Sequence, residues 1–181
     1  YCPSYILLLV VLAAITHRPT VENRFTLDDR AIVLDNRLFS ESRWSDIIST
    51  GYWEGAMGTG KPILAGLYRP ATTAFLAAQF LIFGKNPVGY HVVSLALHVG
   101  VVTLLFLTGC KFMSKRAAWM SAAVFAIHPA NSETVNAIVG QADLIVTLAG
   151  LGALLVFDQT RKTFITNGTG IKWRHAFVAS V

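Results

Sequence analysis

Asp28 and Asp29 are neighbouring carboxylates, preceded by Phe25-Thr26-Leu27 and followed by Arg30. Such a pair can act as a general base, taking the proton from an attacking hydroxyl, or can offer hard oxygen ligands to a divalent ion. The string Thr26-Leu27-Asp28-Asp29 also has the form of a capping box, which would give one acid a purely local task. Arg69 stands between Tyr68 and Pro70. Its planar fork matches phosphate oxygens, and Pro70 suits the first position of a following helix, so a phosphate clamp at a helix N-terminus is one reading. A snorkelling interfacial arginine is the other. His128-Pro129 with Glu133 forms a third group; a chain broken at the proline could turn both side chains into one cavity or leave both hydrated in an outer turn. Asp143 opens an apolar run, where the helix dipole favours an acid. His91 and His98 lie seven apart, on one helical face, with interhelical hydrogen bonding as their simplest role. The sequence has no zinc-ligand spacing, phosphate loop, dinucleotide glycine motif or nucleophile elbow.

These residues sit among segments that must cross or line a membrane. Hydrophobic residues make up 54% of the 181, charged residues only 14%, and the mean hydropathy is +0.53. A soluble domain carries about 25% charged residues. Val88–Cys110 is apolar apart from its two histidines and long enough to cross about 30 Å of hydrocarbon. The expected plan is all-α and multi-pass. A first span covers 1–16, an extracytoplasmic loop 17–87, a second span 88–110, a third 117–139 with a kinked outer turn, and a fourth 142–157. A fifth begins within 176–181. The chain opens on Tyr1 and both ends fall in apolar runs, which predicts a piece of a longer protein.

The long loop reads as ordered, since it carries Trp44, Tyr52, Trp53 and Tyr68. Ser42–Tyr52 spaces Trp44, Ile47, Ile48 and Tyr52 as an amphipathic helix for the membrane surface, 51–66 is glycine-rich, and Thr72–Phe83 is an apolar helix too short to cross.

The net charge of +5 points to topology rather than to nucleic acid. Lys111, Lys115, Arg116, Arg161, Lys162, Lys172 and Arg174 cluster in two loops opposed only by Asp158, whereas His128–Gln141 has no lysine or arginine. Basic short loops stay cytoplasmic, which puts 111–116 and 158–174 inside and 17–87 with 128–141 outside. Cys2 and Cys110 then face the reducing side, where no disulfide is expected, and Asn167-Gly168-Thr169 is a chance sequon.

Five strings in order carry a resemblance: Phe25-Thr26-Leu27-Asp28-Asp29, Tyr68-Arg69-Pro70, Asn86-Pro87-Val88-Gly89-Tyr90-His91, His128-Pro129 with Glu133, and Gly140-Gln141-Ala142-Asp143-Leu144. From Phe25 to Phe157 the chain resembles the N-terminal membrane part of the transmembrane and tetratricopeptide-repeat (TMTC) proteins and their bacterial relatives, polytopic glycosyltransferases of the GT-C type. The resemblance implies an essential aspartate in the first outer loop, flanked by two membrane-surface helices. It implies a polyprenyl-phosphate sugar donor, dolichyl-phosphate mannose in the animal members, and a protein or glycan hydroxyl as acceptor. It makes Asp28 or Asp29 the base of an inverting transfer, Arg69 the contact to the donor phosphate, and His128, Glu133, Asp143 and His91 cavity-lining residues. No cofactor is required; a divalent metal is compatible. The loop style favours a bacterial inner membrane, with the endoplasmic reticulum as the alternative. The chain departs from the family at Gln141, where arginine is common, and it has no tetratricopeptide helices. A non-catalytic scaffold with the same fold and a transporter subunit with a polar midplane path are the competing readings. The orientation predicts that a Ser45→Cys variant reacts with a membrane-impermeant thiol reagent in vesicles whose extracytoplasmic face points outward, while Ser114→Cys does not. The reverse pattern refutes it.

Overall fold

The computed structural model describes residues 3–53, 55 and 67–166, and every regular element among them is helical. The fifth span from residue 176, the sequon at Asn167, Cys2, Lys172, Arg174 and most of the glycine-rich 51–66 stretch lie outside the described residues.

The main helices are α1 (Pro3–His17), α2 (Pro70–Phe83), α3 (Pro87–Gly109), α4 (Lys115–Ile127), α5 (Asn131–Asn136) and α6 (Gln141–Thr166). Three stretches are long and apolar enough to cross a membrane: Pro3–Glu22, Pro87–Gly109 and Ile138–Thr163. The described chain is thus an all-α, multi-pass protein.

Packing centres on α3, which touches α1, α4 and α6. Ala118, Ala122 and Ala126 recur every four residues, so they form one stripe of α4. That stripe is covered by Leu9 and Ala13 of α1 and by Val102 and Phe106 of α3. Lipid tails are as apolar as leucine, so close van der Waals approach over small residues, not expulsion of water, holds such helices together. The outward faces stay apolar, with Leu7, Leu8, Val11 and Ile15 on α1 and Val146, Leu154, Val156 and Phe157 on α6 exposed.

Segment 117–139 does not form one continuous helix. Its first helix stops at Ile127, and His128 takes an extended conformation with ψ 130°. The following Pro129 enforces this, because proline pushes its predecessor out of the helical region. The short α5 and a tight turn at Ile138–Gly140 complete the stretch. Gly140 is needed there, since a Cβ at this position would lie 2.3 Å from the Thr134 carbonyl oxygen. The helix that was expected to end at Phe157 instead runs on to Thr166. Asp158 remains inside it because Lys111, Arg161 and Lys162 neutralise its charge.

Two buried polar groups link the bundle. His17 and His98 both place Nε2 against the Ala126 carbonyl oxygen, at 3.1 and 3.3 Å, and their rings meet edge to face with centroids 4.7 Å apart. That carbonyl is open because the Ala130 N–H, its ordinary helical partner, donates to His128 Nδ1. Gln79 of α2 and Gln141 of α6 form a reciprocal amide pair, the Gln79 Nε2 donating at 2.7 Å and the Gln141 Nε2 donating back at 3.3 Å. Gln141 Nε2 also donates to the Tyr90 carbonyl and to Ser94 Oγ, each at 3.0 Å.

The first loop folds over the outer end of α3. Ile32, Val33, Leu38, Phe39, Ile47 and Tyr52 pack with Leu76 and Ala77 of α2, Tyr90 of α3 and Ile138. Burying a large aliphatic or aromatic side chain contributes about 1.5–3 kcal/mol where the alternative is exposure to water. The amphipathic helix expected over Ser42–Tyr52 is only a 3-10 turn, Trp44–Ile48. Ser42 sits at φ +56°, which ends the preceding helical turn, and Arg43 Nε binds Asp46 Oδ2 at 2.8 Å across the start of the next. Ile47 and Tyr52 face the loop's own core, so the apolar face is used up within the protein. The helix α2 does form, opened by Pro70 and closed at Gly84, whose φ of +57° only glycine adopts readily.

The glutamine pair makes a stability prediction. Gln141→Leu should lower stability by about 1–3 kcal/mol by orphaning the buried Gln79 amide. Adding Gln79→Leu should restore part of that loss. Thermal unfolding of the detergent-solubilised protein checks this; losses that simply add would show that the two amides are not a functional pair.

Candidate functional site

The site is built where the first loop meets the start of α6. Thr26 takes an extended conformation, and the chain turns into helix at Leu27–Asp29. Asp29 then points back: its Oδ2 accepts the Thr26 backbone N–H at 3.3 Å and the Thr26 hydroxyl at 3.0 Å. The other oxygen, Oδ1, accepts the Val139 N–H at 2.9 Å, more than a hundred residues away in sequence. Asp29 is only 1% exposed. Both carboxylate oxygens therefore serve architecture, closing the loop onto the turn ahead of α6. Asp28, one residue earlier, is exposed, and its carboxylate makes no hydrogen bond or ion pair among the described residues.

Arg69 precedes α2 at its N-cap, and its carbonyl accepts the Thr73 N–H at 3.0 Å and the Thr73 hydroxyl at 3.1 Å. The guanidinium lies over the Tyr52 ring, 5.6 Å from its centroid. Tyr52 reaches this place because its N–H donates to the Leu67 carbonyl at 3.0 Å, which brings the two ends of the intervening segment together. The Tyr52 side chain is 3% exposed and its hydroxyl has no hydrogen-bond partner among the described residues. Burial pushes the phenol up to about 12, opposed by Arg69 and reinforced by the charges of Asp29, Asp28 and Asp143. The phenol stays neutral at physiological pH, and one buried ring feels the arginine and all three carboxylates.

The Arg69 guanidinium thus lies on the Tyr52 ring, and the charges of Asp29, Asp28 and Asp143 reach that buried phenol. Asp143 is exposed in the first turn of α6. His91 lies beneath the group and is fully buried; Asp29 is within electrostatic reach, and the backbone of Asn23 and Arg24 lies beside the ring without achieving hydrogen-bond geometry. His91 therefore packs under the site rather than presenting to an open cavity. His128 and Glu133 are exposed on the turn from α4 to α5, and no interaction among the described residues ties either of them to the Tyr52 group. No cluster of three metal-ligating side chains occurs among the described residues. Gln141 is fully buried and committed to Gln79, Tyr90 and Ser94, so it offers nothing to a phosphate. Sequence reasoning did not single out Tyr52 as the centre of this group. An aromatic residue seventeen positions before an arginine carries no local pattern that pairs them.

No family model matches the chain, and no solved structure matches it. Among curated proteins it is similar to protein O-mannosyl-transferase TMTC3 of Mus musculus, 29% identical over 139 residues, which is 76% of this chain and 15% of that protein. To protein O-mannosyl-transferase TMTC4 of Homo sapiens it is 29% identical over 171 residues, 83% of this chain and 23% of that protein. To protein O-mannosyl-transferase TMTC2 of Homo sapiens it is 34% identical over 144 residues, 76% of this chain and 16% of that protein. The chain thus spans between 15% and 23% of the length of these relatives.

The two aspartates should separate by stability. Asp29→Ala should cost about 1–3 kcal/mol, the penalty for orphaning buried N–H groups, whereas Asp28→Ala should change stability by less than about 0.5 kcal/mol. Thermal melts of the two variants in detergent measure this. Equal losses would show that Asp28 also carries structure.

Proposed function

Since the chain is homologous to a stretch of the TMTC protein O-mannosyl-transferases, we propose that it forms part of the membrane module of a glycosyltransferase. The module is of the GT-C type, and its first extracytoplasmic loop holds the reacting groups. The donor is a polyprenyl-phosphate sugar carrying mannose, and the acceptor is a hydroxyl on a protein. The observation that carries this reading is the division of labour between adjacent carboxylates: Asp29 is fully engaged by Thr26 and Val139, while Asp28 is exposed and makes no hydrogen bond or ion pair among the described residues.

Asp28 takes the proton of the acceptor hydroxyl as its oxygen attacks the anomeric carbon. The bond from that carbon to the phosphate oxygen breaks, and the electron pair leaves with the polyprenyl phosphate. A single displacement needs no enzyme nucleophile, so the configuration at the anomeric carbon inverts. The phosphate gains negative charge as it leaves, and Arg69 offers it a planar pair of N–H donors. Stabilisation that grows along the reaction is the kind that raises the rate. The relatives named above come from mouse and human, which supports the endoplasmic reticulum membrane over a bacterial inner membrane.

The test is sugar transfer from radiolabelled polyprenyl-phosphate mannose by the intact protein in membranes. Asp28→Asn should lower the rate by roughly 10²–10⁴-fold, the range typical of a lost general base, with insertion and expression unchanged. Transfer indifferent to Asp28→Asn would remove the base from this position and give the weight to a non-catalytic membrane scaffold of the same fold.

A further inference from the structure

We infer that Tyr52 is a positioning residue for Arg69, holding the guanidinium by its ring face so that the arginine's N–H edge stays free for the donor phosphate. The inference rests on the reading of Arg69 given above and extends it to a residue that does not touch the substrate.

Five observations converge on it. Arg69 forms no ion pair and no side-chain hydrogen bond with any described residue. A salt bridge would occupy the donor fork that a phosphate needs. A π face attracts the cation without consuming any of its five N–H donors. The ring itself cannot move freely: it is 3% exposed, packed in the loop core, and set edge-on against Trp53 with centroids 6.0 Å apart. The arginine is fixed from the other side by the start of α2, where its carbonyl takes two bonds from Thr73. The Tyr52 N–H to the Leu67 carbonyl sets the distance between ring and cation. The Tyr52 hydroxyl has no hydrogen-bond partner among the described residues, so it adds no bond to this arrangement. The ring, and not the phenol oxygen, is therefore the working part.

The experiment measures donor KM and kcat in membranes containing the intact protein, with radiolabelled polyprenyl-phosphate mannose. It compares wild type, Tyr52→Phe, Tyr52→Leu, Arg69→Gln and the Tyr52→Leu/Arg69→Gln double variant. Tyr52→Leu should raise the donor KM roughly three- to thirty-fold, matching the range of a partly desolvated cation–π contact, with kcat within about twofold. Tyr52→Phe keeps the ring and should stay within about twofold of wild type in both constants. In the Arg69→Gln background, Tyr52→Leu should add nothing, because its effect is routed through the arginine. An equal rise in KM with and without Arg69, or a Tyr52→Leu variant with unchanged KM, overturns the inference and leaves the phosphate reading of Arg69 standing. A loss confined to kcat, or to the amount of inserted protein, reduces Tyr52 to a core residue and overturns it as well. If Arg69→Gln alone leaves the donor KM unchanged, the phosphate reading fails and the role of Tyr52 goes with it.

Discussion

The candidate site depends on one buried carboxylate. Asp29 ties Thr26, in the first loop, to Val139, in the turn that precedes α6. A carboxylate accepting backbone N–H bonds in a water-poor place is among the stronger polar contacts a protein can make. Without this tie, no hydrogen bond among the described residues would join the Thr26–Asp29 turn to the Val139 turn. Apolar packing sets proximity but not register. With the tie, the turn that carries Asp28 is fixed to the turn that precedes Asp143.

The membrane supplies the second constraint. In hydrocarbon no water is available to satisfy a backbone group, so each interruption of a helix must be answered from within the protein. The break at Pro129 frees the Ala126 carbonyl, and two histidines from two other helices answer it. The short α5 brings Asn136 to Thr20 and Asn131 to the Phe125 carbonyl. Polar residues that look anomalous in apolar helices are here the means by which an irregular outer end is tolerated. The Gln79–Gln141 pair joins α2 to α6 in the same way, through neutral amides that satisfy each other.

The all-helical, membrane-crossing class was legible because it rests on run length and composition, both local properties. Pro70, Gly84 and Pro129 punctuate the chain for equally local reasons. What escaped was whatever required a distant partner. The helix α6 continues past Phe157 with Asp158 paired to Arg161 and Lys162, which a local reading could reach, but its third partner, Lys111 on the turn after α3, lies in no window around Asp158. Ser42–Tyr52 has the periodicity of a surface helix, but periodicity does not reveal whether membrane or protein will cover the apolar face; here the loop core does. The capping-box form of Thr26–Asp29 was visible in the sequence, whereas the third bond of Asp29, to Val139, was not. Tyr52 was noticed as an aromatic in a loop, and its pairing with Arg69 emerges only once the chain has closed between Tyr52 and Leu67.

The carbonyl of Ala126 has a mechanical meaning as well as an electrostatic one. Two imidazoles, one at the end of α1 and one within α3, converge on a single oxygen of α4, and they also touch each other. Three helices meet at this joint, so displacing α1 or α3 by an ångström would break its bond to α4, and displacing α4 would break both. These helices therefore behave as a chassis. The helix α2 is fastened to that chassis separately, through Gln79 and through the Tyr90 hydroxyl on the Gly84 carbonyl, so any movement of α2 against it must strain those two contacts.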